Sequence, residues 1–135
     1  MVDVKKLYPD FKEEIGVCDY TPMVEAFGNV AVRIDEDDYQ GDTWVLYDND
    51  GKIGYLLFGW GSCCVCDALQ GCETIDEVQE LCNKLENDIR WFDTAEEALK
   101  WFNEYDWEGD WSYHCDEGKQ FSREAIAYLE AIKDD

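Results

Sequence analysis

The densest chemistry in this chain is carried by sulfur. Cys63-Cys64-Val65-Cys66 is followed by Cys72, and His114, the only histidine, stands beside Cys115. A CxxC turn can aim two thiolates at one ion, and a third cysteine with an imidazole completes a tetrahedral zinc site. Cys63, Cys66, Cys72 and His114 are the preferred set, with Cys115 able to replace either of the last two. Zinc ribbons and fingers usually show a second knuckle pair, which is missing here. The plainer alternative is packing, because free cysteine is among the most buried residue types. A redox CxxC needs positive charge or a helix start to lower its thiol pKa, and the nearest bases in sequence are Lys52 and Lys84. A Cys–His nucleophile pair lacks a recognisable orienting residue and oxyanion donors. No catalytic residue is assigned.

The carboxylates form the second group. Asp35-Glu36-Asp37-Asp38 with Asp42, and Asp48-Asn49-Asp50-Gly51, invite a calcium or magnesium site. An EF-hand loop needs glycine at its sixth position and glutamate at its twelfth. Setting Gly51 sixth puts Leu46 first and Leu57 twelfth, so the motif fails. Magnesium held by Asp37 and Asp38 for phosphoryl chemistry would want a basic path for its substrate, and none is visible. A solvated loop and a hairpin turn account for both stretches.

The elements that must position these groups follow from periodicity. Val30, Val32 and Ile34 alternate with Ala31 and Arg33, as in a half-buried strand. Trp44–Tyr47 and Ile53–Phe58 flank Asp48-Asn49-Asp50-Gly51, a strong hairpin signal. Past the Gly59–Cys72 segment the period becomes helical, with Ile75, Val78, Leu81, Cys82 and Leu85 on one face. Thr74-Ile75-Asp76-Glu77 and Thr94-Ala95-Glu96-Glu97 are both capping boxes. The second opens a helix with Ala95, Ala98, Leu99 and Phe102 inward, after a short strand over Ile89–Phe92. Trp107–Tyr113 reads as an irregular strand, and a last helix runs from about Ser122. Strands first and helices after predicts an α+β fold: a small antiparallel sheet of three to five strands followed by helices packed on one face. No linker divides the chain, so one domain is expected over 1–135. Residues 1–16 read as an N-terminal appendage, 17–60 as mainly strands and 74–133 as mainly helices.

Composition narrows the function. The 135 residues hold 33 Asp+Glu against 11 Lys+Arg, a net charge of −22, yet 15% are aromatic. Disordered acidic chains are poor in aromatics, so this is a folded domain. Its charge excludes direct nucleic-acid binding, which needs a basic face, and disfavours anionic lipid. No apolar run approaches a membrane span of about 20 residues, and the amino terminus lacks a signal-peptide core. A cytoplasmic protein with reduced cysteines is expected.

Asp35 to Glu117 holds 23 acids and four bases, hence 19 of the 22 net negative charges. A folded surface of roughly 7,000 Å² then averages one net charge per roughly 300 Å². Duplex DNA carries about one per roughly 100 Å², so imitating it requires the acids to gather on one side. Asp76, Glu77, Glu80, Glu96, Glu97 and Glu104, beside Asp106, Glu108 and Asp110, are the candidates for such a face. It would bind a basic protein with fast, salt-sensitive association. The alternative is that acidity only confers solubility. Trp101 and Trp107 are the expected surface aromatics, anchors within a charged rim.

Asp38-Tyr39-Gln40-Gly41-Asp42, Gly59-Trp60-Gly61-Ser62-Cys63 with Cys66-Asp67-Ala68-Leu69-Gln70, Trp91-Phe92-Asp93 and Trp107-Glu108-Gly109-Asp110-Trp111-Ser112 with His114 form a pattern. Together they resemble a family of small acidic proteins, mostly uncharacterised, carried by bacteriophages and other mobile elements. The resemblance spans roughly residues 17–130. Cys63, Cys66 and His114 fall on its motif, whereas a small residue such as Ser usually stands where Cys64 is. It implies a protein acting inside a bacterial host cell. By analogy with other acidic phage proteins, the expected role is inhibition of host defence, anti-CRISPR or anti-restriction, by blocking a basic nucleic-acid-binding protein. A zinc-stapled structural domain is the alternative, and a Cys- or metal-dependent enzyme a further one.

Overall fold

A computed structural model of the chain describes residues 2–12, 19–36, 41–61, 67–107 and 116–133. The Asp48–Gly51 stretch forms the hairpin that its residues predict. Asp50 and Gly51 take φ of 54° and 96°, the left-handed backbone that a two-residue turn requires. Gly51 N donates to Asp48 Oδ1 at 2.9 Å, closing the turn. It joins β2 (Gly41–Asn49) to β3 (Lys52–Trp60), paired from Asn49↔Lys52 to Gly41↔Trp60. β1 (Val30–Asp35) flanks β2 and β4 (Arg90–Phe92) flanks β3, giving an antiparallel sheet in the order β1-β2-β3-β4. A Cβ at Gly54 would meet the Trp91 ring at 2.7 Å, so the β3–β4 pair depends on glycine there.

Among the described residues five helices complete the α+β fold: α1 (Val4–Leu7), α2 (Thr21–Ala26), α3 (Ile75–Asp88), α4 (Ala95–Glu104) and α5 (Asp116–Ile132). Both threonine caps form. Thr74 Oγ1 accepts from Glu77 N, while the Glu77 carboxylate accepts from Thr74 N at 3.1 Å. At α4, Thr94 Oγ1 accepts from Glu97 N, but Glu97 reaches back one residue further, to Asp93 N at 3.3 Å. Among the described residues no helix is long and apolar enough to cross a membrane.

The helices do not share one face of the sheet. Val45, Tyr47, Leu56 and Phe58 pack under α1, α2 and α3, with Met23, Val24, Val78, Cys82 and Leu85. Their neighbours in the strands, Trp44, Leu46, Ile53 and Tyr55, pack under α4 and α5, with Phe102, Phe121, Ala125 and Leu129. Successive strand residues point to opposite sides, so both sides of the sheet are covered. This corrects the expected one-sided packing. The run Trp44-Val45-Leu46-Tyr47 does not alternate in polarity, which is the pattern of a strand buried on both faces.

The amino terminus is not an appendage over its described part. Val4 and Tyr8 are buried in the α3-side core. Gln79 on α3 accepts from Val4 N at 3.2 Å and donates to the Val2 carbonyl at 2.7 Å. α2 is a helix within the stretch expected to be mainly strands. Its six residues are too few to show a period, but Pro22 suits a first turn, where no amide is needed. α5 begins six residues before Ser122. Gly118 disfavours helix by propensity, yet it is buried on the same face as Phe121, Ser122 and Ala125, and packing prevails.

Candidate functional site

The two-layer packing decides where the acids lie. α3 turns Val78, Cys82 and Leu85 to the sheet, which leaves Asp76, Glu77 and Glu80 exposed on the outer side of that layer. α4 turns Ala95, Ala98, Leu99 and Phe102 to the other side of the sheet, leaving Glu96, Glu97 and Glu104 exposed there, with Asp106 beyond the helix. The expected single face is therefore two acidic strips, separated by the sheet and both cores. Glu108 and Asp110 lie outside the described residues. α3 carries Asp76, Glu77, Glu80, Glu86 and Asp88 against Lys84 alone, and Lys84 pairs with Asp88 at 3.2 Å.

Trp101 and Trp107 are half-buried rather than free surface anchors. Trp101 stacks on Tyr105 with centroids 4.7 Å apart, and the Arg90 guanidinium lies 5.1 Å over its ring. Trp107 stacks on Phe102 and donates its indole N–H to the Phe102 carbonyl at 2.8 Å. These rings seal the end of the α4–α5 core. Trp101 presents one face to Tyr105 and has a cation placed over its ring, so little of it is left for a partner.

Of the candidate zinc ligands, Cys63, Cys66 and His114 lie outside the described residues, as do the alternates Cys64 and Cys115. Cys72 is buried, and its thiol donates to the Ala68 carbonyl at 3.3 Å. Burial first, then the charges of Glu77, Asp67 and Glu80, push its pKa up. That environment favours the thiol, whereas a zinc ligand must be a thiolate. Among the described residues no group of three or more metal-ligating side chains converges. Asp35 and Glu36 are likewise engaged: Asp35 accepts from Thr43 and Arg33, and Glu36 accepts from Asp42 N at 3.0 Å. Asp37 and Asp38 fall outside the described residues.

The most elaborate polar arrangement was not singled out by sequence. Asp67, 3% exposed, accepts three hydrogen bonds: from Tyr20 OH at 2.8 Å, Gly61 N at 3.2 Å and Gln70 N at 2.9 Å. Tyr20 OH in turn accepts from Leu69 N at 3.1 Å, and Gln70 Nε2 donates to the Gly61 carbonyl at 3.0 Å. Burial, then the bond to Asp67, holds the Tyr20 phenol well above its usual pKa, against the opposing Leu69 amide. Tyr20 is therefore a donor at any physiological pH. Alongside, Trp60 Nε1 donates to Thr43 Oγ1 at 2.9 Å, and Thr43 donates to Asp35. Arg33 closes the chain, pairing with Asp35 at 3.2 Å and donating to Thr21 Oγ1 at 2.9 Å. Tyr20, Arg33, Asp35, Thr43, Trp60, Gly61 and Asp67 border a cavity of about 170 Å³ beside the α3-side core. The sequence held two signals for it: Asp67 within the Cys66–Gln70 segment, and Thr43 on an inward strand position.

A larger hollow, about 590 Å³, lies between the hairpin turn and the start of α4, with Asp48, Asp50, Asp93 and Glu96 on its walls. Asp48 there is bound by the Tyr128 hydroxyl, which raises the Tyr128 pKa to about 12. Among the described residues no buried polar side chain lines this hollow, which has the features of a surface recess between elements. Comparison with known proteins finds no matching family, no matching curated protein and no matching solved structure.

Proposed function

We propose that this chain is a non-catalytic inhibitor that binds a basic, nucleic-acid-binding protein of a bacterial host through the acidic strip of α3. A CRISPR effector or a restriction complex is the kind of partner meant, and occupation of its nucleic-acid groove is the mode of inhibition. The observation that carries this reading is the strip itself. Asp76, Glu77, Glu80 and Asp88 are exposed on one helix whose only base, Lys84, is already paired. Asp76 and Glu77 also serve the start of α3, Glu77 as its cap, but Glu80 and Asp88 lie beyond the first turn, and together the exposed acids attract a positive groove over a Debye length of about 10 Å at 0.1 M salt. The α4 strip is a poorer candidate. Lys100 lies within it and Arg90 beside it, over Trp101.

The geometry changes the form of mimicry. One strip along a helix of 14 residues, about 21 Å, presents a line of charge, not the two phosphate ridges of a duplex. The test is capture from bacterial lysate on the immobilised chain, with elution by salt and by a DNA duplex. A nucleic-acid-binding protein should be retained at 0.1 M salt, be released by about 0.5 M, and be displaced by the duplex. Neutralising Asp76, Glu77 and Glu80 to amides should abolish retention, and neutralising Glu96, Glu97 and Glu104 should not. Retention that ignores salt, or equal effects of the two triple variants, would overturn the proposal.

A further inference from the structure

The sheet face under α3 ends in polar residues where a core would end in apolar ones. Arg33 is paired with Val45, and Asp35 with Thr43, so all four point to the side that also holds Tyr47 and Phe58. Thr43 is 1% exposed and Asp67 3%. Groups buried this deeply cost desolvation, and apolar replacements of similar volume are often neutral or stabilising. Stability alone therefore does not ask for them. Departures from local rules of this kind gather at functional sites.

The charge of Asp67 is the second observation. Its three hydrogen-bond donors, a phenol and two backbone amides, are all neutral. Among the described residues no lysine or arginine forms an ion pair with it. Arg33, the one cation among the described residues of the cavity wall, is taken up by Asp35 and Thr21. Asp67, a buried carboxylate with no counter-charge among the described residues, thus borders a cavity of about 170 Å³ whose other walls include Tyr20, Phe58 and Trp60. Cavities of about 150 Å³ admit a benzene ring, and a guanidinium is smaller. Aromatic rings beside a carboxylate favour organic cations, and with Asp19 and Asp35 the described residues of the wall carry three acids against Arg33.

We infer that this cavity is a socket for one guanidinium or ammonium head, supplied by an arginine or lysine side chain of the basic partner. The partner half of this inference rests on the function proposed above. The placement is favourable, since Tyr20 and Phe58 also border the groove along Leu81, Lys84, Leu85 and Asp88 of α3. The acidic strip brings the partner in, and the socket fixes one of its side chains.

Methylguanidinium chloride titrated into the full chain is the probe, followed by the NMR signals of the Trp60 indole N–H and the Gly61 and Gln70 amides. A saturable shift is expected, and sodium chloride at equal ionic strength should not reproduce it. Asp67→Asn should abolish saturation. Asp19→Asn, at the exposed rim, should weaken it roughly fivefold and decides the matter if Asp67→Asn does not fold. A shift that never saturates, that sodium chloride reproduces, or that Asp19→Asn leaves unchanged overturns the socket. Partner capture separates the two proposals. Saturable methylguanidinium binding with no basic protein captured upholds the socket and sinks the partner reading. Capture that survives Asp19→Asn unweakened removes the socket as the partner's anchor and leaves the α3 strip standing.

Discussion

The two sides of the sheet solve the same packing problem differently. Under α4 and α5 the core is nearly all hydrocarbon and aromatic ring: Trp44, Tyr55, Phe102 and Phe121 meet there, closed at one end by Trp101 and Trp107. Under α1, α2 and α3 a comparable core gives way at one end to Thr43, Arg33, Asp35 and Asp67, tied together by directed hydrogen bonds. The first side is dry and gains its stability from area removed from water. The second spends part of its interior on polar groups whose value depends on geometry. The contrast separates a side that is apolar nearly throughout from a side whose interior ends in a polar network.

Breaking the dry side should cost most. Phe121, fully buried and stacked on Tyr55 at 5.7 Å, should lose about 3–5 kcal/mol of stability on change to alanine, read from urea unfolding. Asp67→Ala should cost less, about 1–3 kcal/mol. It strands the Tyr20 hydroxyl and the Gly61 and Gln70 amides, but beside a cavity where water can reach them. If Asp67→Ala proves the more damaging, the polar network is a main staple of the fold and the contrast fails.

Thr74→Ala and Thr94→Ala sharpen the comparison from the helix ends, one on each side of the sheet. Each removes one cap bond and should cost about 1 kcal/mol, measured by thermal melting. A large difference between them would show that the two helix layers do not rest equally on their caps.

Alkaline pH gives the smallest effect. Burial, then the Glu86 charge, pushes the Cys82 thiol up to about 11 from its ordinary value near 9. A folded pKa above the unfolded one means stability that is complete below pH 9 and lost as pH rises toward 11. At pH 9.5 the loss from Cys82 should stay below about 1 kcal/mol. Cys82→Ala should flatten that part of the pH–stability curve, and native Cys82 should resist iodoacetamide at pH 7.5.

Legibility in the sequence followed locality. The β2–β3 hairpin was readable because Asp50 and Gly51 supply the required backbone within the turn itself. The helix starts were readable because each threonine and its glutamate are three residues apart. The short strand at Arg90–Phe92 could be placed between them for the same reason. Asp67 could not be read as the hub of a network, because one of its partners, Tyr20, stands 47 residues away. Nor could the split of the acids, since each helix shows which of its own faces is inward but not which side of the sheet it will cover.

The sequence alone determined that this chain folds, that it is α+β, where its turn and helix caps fall, and that its surface is strongly negative. Those properties depend on residue type, charge and spacing over a few positions. Only the tertiary structure divided the charge into two strips and gathered Tyr20, Arg33, Thr43, Trp60 and Asp67 around one cavity. Such groupings depend on distances between residues far apart in the chain, which are set when the two helix layers close on the sheet.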